Sequence, residues 1–371
     1  MGLQTKNYFV MSAALFTGFP GFIGARLIKR LFDYRRDIER FYLIVQEKYL
    51  SLANETIKKI LTEFPSMSKA FQVIIGDITL PNLGIESPEK IKDEITECFH
   101  LAAVYDLAVP FEVGYRVNVL GTENVVNFLK NCPNLRKFNY VSTAYVSGLA
   151  TGVFSEDDFD LGQGFKNFYE QTKFLAEKVV RENQKFIPTT IYRPGIVVGD
   201  SKTGETAKFD GPYYVILLML KLPNYSPFPK VGSGEAEVNI VPVDYVVDSI
   251  AYLSGLDETV GKVFHLTDPR PHKVFELVQI FAERLGKSFI YFRISPQTMK
   301  KLMKPQFLQR VVGIPVQLID YFDHHIHYDC SFTTSILERG YIRCPDLLDY
   351  VDVMIEFVRR NKGRIARRGL S

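Results

Sequence analysis

Short apolar runs alternate with longer amphipathic stretches along most of the chain. The runs are SAALF, FYLIV, FQVIIGD, CFHLAAV, KFNYVST, TTIYRPGIVVG and KVFHL. Between them lie helical patterns: one from Ala25, one near Leu52–Phe64, one near Pro88–Ile95, one in NVLGTENVVNFLKNC, one in FYEQTKFLAEKVVREN and one in VPVDYVVDSIAYL. The strand-like runs are short and rich in β-branched or aromatic residues, and helices placed between them make βαβ units around a parallel sheet. The pattern predicts a doubly wound parallel sheet of six or seven strands with helices on both faces. After Gly199 the rhythm breaks into DSKTGETAKFDGP, the apolar YYVILLMLKL and the Pro-rich NYSPFPKVGSGEAE. From about Asp268 onward helix and strand mix with little regularity. The expected division is therefore a sheet domain over 1–200 and 236–267, with a smaller α+β substrate-binding subdomain over 201–235 and 268–371.

Composition narrows the partners. The 371 residues are 46% hydrophobic, which suffices for a large core, and the net charge is only +3 with charges mixed along the chain. No basic face suited to a phosphate backbone is visible, so nucleic acid is not an expected partner. Basic residues cluster only at the end, in VRRNKGRIARRGLS, which reads as a solvated tail or as a surface for anionic lipid or an acidic carrier protein. YYVILLMLKL is about half the length of a membrane span, so contact with a membrane is expected to be peripheral at most. MGLQTKNYFV has neither the apolar core of a signal peptide nor the hydroxyl residue of a myristoylation site. Cys98, Cys132, Cys330 and Cys344 stand apart without a metal-ligand spacing and read as reduced thiols of a cytoplasmic protein. DHHIHYD brings His324, His325 and His327 together without a further ligand in view, and no metal is expected.

The chemistry starts at TGFPGFIG, Thr17 to Gly24, where three glycines stand between an apolar run and a helix. A helix N-terminus carries unpaired N–H groups and partial positive charge, so such a turn suits a pyrophosphate. Gly18 is read as making the turn, Gly21 as admitting the phosphates and Gly24 as letting helix and strand pack. Downstream, Tyr169 and Lys173 are four apart and share one helix face, where an ammonium beside a phenol favours the phenolate.

The GxxGxxG spacing, GDI at Gly76–Ile78, HLAA at His100–Ala103, N-V-L-G-T at Asn118–Thr122, VSTAYVSG, Y-E-Q-T-K and YRPGIVVGD together resemble the extended short-chain dehydrogenase/reductases. Within them, GDITLPNLGI, HLAAVYDL and VPVDYVVDSI look most like fatty acyl-CoA reductases and thioester-reductase domains. The resemblance implies a Rossmann-type fold and a catalytic set of Thr143, Tyr169 and Lys173, with Ser142 packing locally and His100 a packed strand-end residue. It also implies a cofactor cradle of Gly18, Pro20, Gly21, Phe22, Ile23 and Gly24, with Asp77 and Ile78 at the adenine. Leu101, Ala102 and Ala103 run beneath ribose and phosphates, Asn118, Tyr169 and Lys173 lie nearby, and Pro194, Gly195, Ile196 and Val197 border the nicotinamide. Gln46 and Lys48 follow FYLIV, where the ribose of the adenosine is gripped; with Arg26 or Arg36 near, Lys48 favours NADP(H) over NAD(H), against Glu47.

The expected activity is NAD(P)H-dependent reduction of fatty acyl thioesters, carried by CoA or an acyl carrier protein, to aldehyde or alcohol. A homodimer is compatible with the pattern. The alternatives are a sugar-nucleotide epimerase or dehydratase, a hydroxysteroid-type dehydrogenase, and a cofactor sensor without catalysis. YYVILLMLKL and FRISPQTMKKLMKPQFLQ are expected to furnish an apolar pocket, whereas a sugar nucleotide calls for a polar, Arg-lined slot.

Overall fold

The computed structural model describes residues 12–368. Residues 1–11, on which the secretion and myristoylation readings rest, lie outside the described residues, as do 369–371 and the side chains of 364–368 in the basic C-terminal run. Seven strands form one parallel sheet: β1 (Ser12–Thr17), β2 (Ile38–Val45), β3 (Phe71–Ile75), β4 (Ile95–His100), β5 (Lys137–Val141), β6 (Thr189–Pro194) and β7 (Val263–Leu266). Their order is β7-β6-β5-β4-β1-β2-β3, with Leu15 of β1 opposite Tyr42 of β2 and Cys98 of β4. The strand order reverses between β1 and β4, the place where open α/β sheets open a crevice beyond the carboxyl ends of their strands.

Every residue of β1, β4, β5, β6 and β7 is buried, which explains runs without alternation. One face carries α1 (Phe22–Tyr34), α2 (Leu50–Glu63) and, further along the chain, α6 (Val243–Ser254), packed through Leu27, Ile28, Leu31, Val246 and Ile250. The other face carries α3 (Gly121–Leu129) and α4 (Phe168–Asn183), packed through Val125, Leu129, Ala176 and Val180. Lys137 opens β5 from inside the protein, and its ammonium caps the end of α6, donating to the carbonyls of Leu253, Ser254 and Leu256 at 3.1, 3.0 and 2.7 Å. Burial lowers its pKa to about 8. Four orphan carbonyls end every helix, and this lysine satisfies two of those of α6.

Two helices differ from the expected pattern. The one read near Pro88–Ile95 shrinks to Glu89–Lys92, because Ile95 already opens β4. The one read in NVLGTENVVNFLKNC is preceded by a π-helical turn, Tyr115–Leu120, that carries Asn118. Beyond the sheet, α5 (Pro212–Lys221), α7 (Val274–Leu285) and α8 (Leu347–Arg368) share one apolar cluster that includes Ile216, Met219, Phe281, Val351 and Met354. Leu337 and Ile342 join the cluster of α1 and α6 instead.

Candidate active site

The carboxyl ends of β1, β2, β3, β4, β5 and β6 bring together most of the residues singled out in the sequence. At β1 the chain turns at Gly18, which has φ +89°; a Cβ there would stand 2.7 Å from the Ala102 amide nitrogen and 2.8 Å from the Leu101 carbonyl carbon. The β1 turn and the loop after β4 thus touch through backbone, and only glycine fits. The turn adds a structural requirement at the second glycine. A Cβ on Gly21 would meet the Gly18 carbonyl oxygen at 2.7 Å, so Gly21 is needed by the turn itself. Gly24 would meet the same oxygen at 2.7 Å and Phe16 at 3.3 Å, in keeping with close helix–strand packing. Gly21→Val is therefore expected to lower the thermal unfolding midpoint in the absence of any dinucleotide, as well as cofactor affinity. An unchanged midpoint with reduced affinity would restore the phosphate-only reading. Helix α1 begins there without a side-chain cap and without an acidic residue in its first turn. Its free N–H groups therefore face the crevice as donors for an anion.

At β2, Gln46 donates its amide to Asp77 at 2.8 Å, and Asp77 accepts from the backbone and hydroxyl of Thr79 at 2.9 and 2.8 Å. Lys48 is exposed and lies over the Tyr49 ring. Arg26 pairs with Glu205 at 2.9 Å. Ile78 is buried, and its carbonyl accepts from Asn124. At β4, the His100 ring is buried between the Thr17 and Thr122 hydroxyls at 2.6 and 3.0 Å, and burial, helped by the charge of Lys173, lowers its pKa to about 3. It is a packed, neutral residue. Leu101 and Ala102 are half-buried and Ala103 is exposed. Asn118 accepts from the Val104 N–H at 2.8 Å and donates to the Thr172 hydroxyl at 3.0 Å, so its amide braces this loop against α4. Past β6, Pro194 and Gly195 are buried, Ile196 and Val197 half-buried, and the segment Ile196–Val198 pairs with Ile240–Pro242.

Tyr169 and Lys173 lie one turn apart on α4, next to the Thr143 at the end of β5. Burial pushes the Tyr169 phenol up, and its interaction with Thr143 opposes this without reversing it. The expected ammonium–phenol contact takes a different form. The Lys173 ammonium donates to the Val141 carbonyl at 2.9 Å and to the Tyr140 hydroxyl at 3.4 Å, and burial lowers its pKa to about 8. The phenol is thus held in its neutral, proton-bearing form. Ser142 packs locally, donating to the buried Glu177 at 2.6 Å.

Beyond Tyr169 opens a groove enclosing about 730 Å³ of free space, part of it open to solvent. Its walls are Tyr105, Leu107, Tyr145, Ile196, Val215, Val238, Val274, Leu277, Val278, Leu318, Tyr321 and Phe322, with Gly211 and Pro212 at one side and, among the described residues, no arginine. The ring of Tyr105 stands edge-on to Tyr169, centroids 5.0 Å apart. Sequence reasoning found YYVILLMLKL, from which Val215 reaches the groove beside Pro212, but FRISPQTMKKLMKPQFLQ supplies none of these residues. Val274–Val278 and Leu318–Phe322 were missed. The apolar spacing of α7 was the available signal, and for Leu318–Phe322 the local pattern offered none. The three clustered histidines turn to separate partners: His324 to the Ala150 carbonyl, His325 to Asp323 and His327 to Glu237. Among the described residues no helix is long and apolar enough to cross a membrane.

Known proteins share this sequence pattern and this fold. The family described as Male sterility protein matches residues 16–250. A linear gramicidin synthase of Brevibacillus parabrevis is 25% identical over 96% of this chain and 7% of its own length. Fatty acyl-CoA reductase wat of Drosophila melanogaster is 27% identical over 63% of this chain and 52% of its own. The chain spans about half or less of the length of these curated relatives. Among solved structures, the terminal R domain from the myxalamid PKS-NRPS biosynthetic pathway superposes with a TM-score of 0.79 at 24% identity, covering 95% of this chain and 92% of that one, which shows a shared fold. Matched over more than half its length, with the seven-stranded sheet and the glycine turn at the switch point, the chain belongs to the Male sterility protein family of NAD-binding domains.

Proposed function

We propose that this chain reduces fatty acyl thioesters with NADPH, releasing the thiol and an aldehyde. The observation that carries the reading is the groove beyond Tyr169: apolar and aromatic walls, with phenols as the side-chain polar groups and, among the described residues, no arginine to clamp a diphosphate. Such walls suit an acyl chain and leave a sugar nucleotide's charges unpaired. The names of relatives point the same way, one being a fatty acyl-CoA reductase and another a linear gramicidin synthase.

The cradle fits a nicotinamide dinucleotide. The uncapped N-terminus of α1 would hold the pyrophosphate, Leu101–Ala103 would flank it, Asp77 and Ile78 would meet the adenine, and Pro194–Val197 would border the nicotinamide. Bound there, the cofactor supplies the hydride. Tyr169 and Thr143 hydrogen-bond the thioester carbonyl oxygen, and as negative charge develops Tyr169 passes its proton to it. Burial keeps the phenol protonated, the form a reduction requires of its acid. Lys173, whose ammonium donates to the Val141 carbonyl, would hold the ribose. The hemithioacetal formed then breaks its C–S bond, leaving aldehyde and free thiol. The apolar groove would hold the chain while this collapse occurs.

For the cofactor, Gln46 is engaged with Asp77, which leaves Lys48 as the exposed cation at the end of β2 and favours NADPH. Lys48→Ala is expected to weaken NADPH by about 1.5 kcal/mol more than NADH, the worth of a charge-assisted hydrogen bond. Equal losses in calorimetric titrations of both cofactors would remove Lys48 from the site. The activity itself is tested by anaerobic incubation with NADPH and a panel of saturated acyl-CoAs, products identified by mass spectrometry. Aldehyde or alcohol is expected, and a panel returned unchanged would refute the reading. The mixed charge along the chain is compatible with a substrate presented by CoA or by a carrier protein, and with two copies of the chain acting together.

A further inference from the structure

One phenol of the groove is tied to the catalytic helix by two bonds that the reaction does not use. The Tyr321 hydroxyl donates to the Glu170 carboxylate at 2.7 Å and accepts from the Asn167 amide at 2.8 Å. Asn167 is the N-cap of α4, its oxygen accepting the Glu170 N–H at 3.0 Å, and Glu170 directly follows Tyr169. The Glu170 carboxylate is fully buried. It accepts also from the Lys166 N–H at 2.9 Å and faces the Lys166 ammonium at 3.4 Å, so all its partners are donors. A buried carboxylate satisfied in this way has one low-energy placement, and it fixes whatever it holds. What it holds is one wall of the groove: Tyr321 lies in the short helix Val316–Tyr321, next to Leu318 and Phe322, which also line the cavity, and its ring stands edge-on to Tyr145, centroids 5.4 Å apart.

We propose that Asn167 and Glu170 are positioning residues which, through the Tyr321 hydroxyl, fix the Leu318–Phe322 wall at a set distance from the Tyr169 hydroxyl and thereby determine which acyl chain lengths are reduced. This rests on the thioester-reductase reading. The carbonyl must sit at Tyr169 while the chain fills the groove, so a wall locked to the same helix turn acts as a ruler, whereas a free wall adapts to any chain. Neither residue touches the reacting atoms.

The test compares wild type, Tyr321→Phe and Glu170→Gln. Tyr321→Phe keeps the ring and removes both bonds. Glu170→Gln keeps the shape and sets its amide NH2 either against the Lys166 N–H or against the Tyr321 hydroxyl and the Lys166 ammonium. Both are expected to flatten the chain-length profile: the ratio of kcat/KM between the preferred acyl-CoA and one a few methylenes shorter falls about tenfold, the size of discrimination that small apolar contacts give. A merely structural role would lower all chain lengths together and leave that ratio unchanged. Affinities for unreactive thioether analogues of the same acyl-CoAs, measured by calorimetry, are expected to flatten in parallel. If wild type reduces thioesters with a chain-length optimum and both variants keep it, the ruler is refuted while the activity stands. If wild type neither binds the analogues nor reduces the thioesters, the activity and the ruler fall together.

Discussion

Replacing Tyr169 by Phe is expected to slow reduction by 10² to 10³, or about 3–4 kcal/mol of transition-state stabilisation, while NADPH binds as before. The structure makes this an unusually clean deletion. The Phe ring keeps the edge-on contact with Tyr105 that positions Tyr169 now. The Lys173 ammonium is anchored on the Val141 carbonyl and the Tyr140 hydroxyl, not on Tyr169, so it stays in place. Thr143 remains as a donor and accounts for the residual rate. Steady-state rates at saturating NADPH, with cofactor affinity measured alongside, check the result; a variant within threefold of wild type would remove Tyr169 from the chemistry.

Glu177→Gln is expected to destabilise the fold by about 3–5 kcal/mol, the cost of leaving a buried charge without its partner. Arg193, fully buried on β6, donates to this carboxylate at 2.7 Å, and Arg181 and Ser142 reach it at 2.9 and 2.6 Å. The cluster joins α4 to β5 and β6, the elements that carry Tyr169, Lys173 and Thr143. Burial alone would raise the Glu177 pKa, but the Arg193 guanidinium reverses that and holds it at about 2, against an ordinary 4.5. A carboxyl depressed on folding contributes stability that is complete above its unfolded pKa and is lost as pH falls toward the folded one. The gap between wild type and variant in urea unfolding is therefore widest above about pH 4.5 and narrows toward pH 2. A gap that widens on acidification, or one below about 1 kcal/mol at neutral pH, would contradict this account of the cluster.

Features fixed by neighbours in the chain were legible in the sequence. The seven strands announced themselves as short runs rich in β-branched and aromatic residues alternating with amphipathic helical stretches. The glycine turn, the Ser-Thr end of β5 and the Tyr169–Lys173 spacing are likewise local. The groove is another matter: Tyr105, Val215, Val274 and Tyr321 converge from four separate segments, and nothing near Tyr321 marks it as facing a cavity. Two further structural contacts have the same origin. Gly21 faces the oxygen of a residue three earlier across a turn whose shape the spacing alone does not give, and Asn118 is turned by a π-helical step onto Val104 and Thr172. Lys173 and Tyr169 share a helix face as expected, yet the ammonium bonds a backbone carbonyl at the end of β5 rather than the phenol, a matter of tertiary packing.

The central claim is that a thioester C–S bond breaks as NADPH is consumed. It is tested most directly by following NADPH absorbance and free thiol together, with a thiol reagent added to quenched aliquots, on a medium- or long-chain acyl-CoA and on the same acyl group carried by an acyl carrier protein. The account predicts thiol release in step with the first NADPH oxidised, equimolar and strongly reduced in Tyr169→Phe. An enzyme saturated with NADPH that releases no thiol from any chain length on either carrier would contradict it, and NADPH oxidised on a sterol or sugar-nucleotide ketone instead would assign the groove to a different substrate.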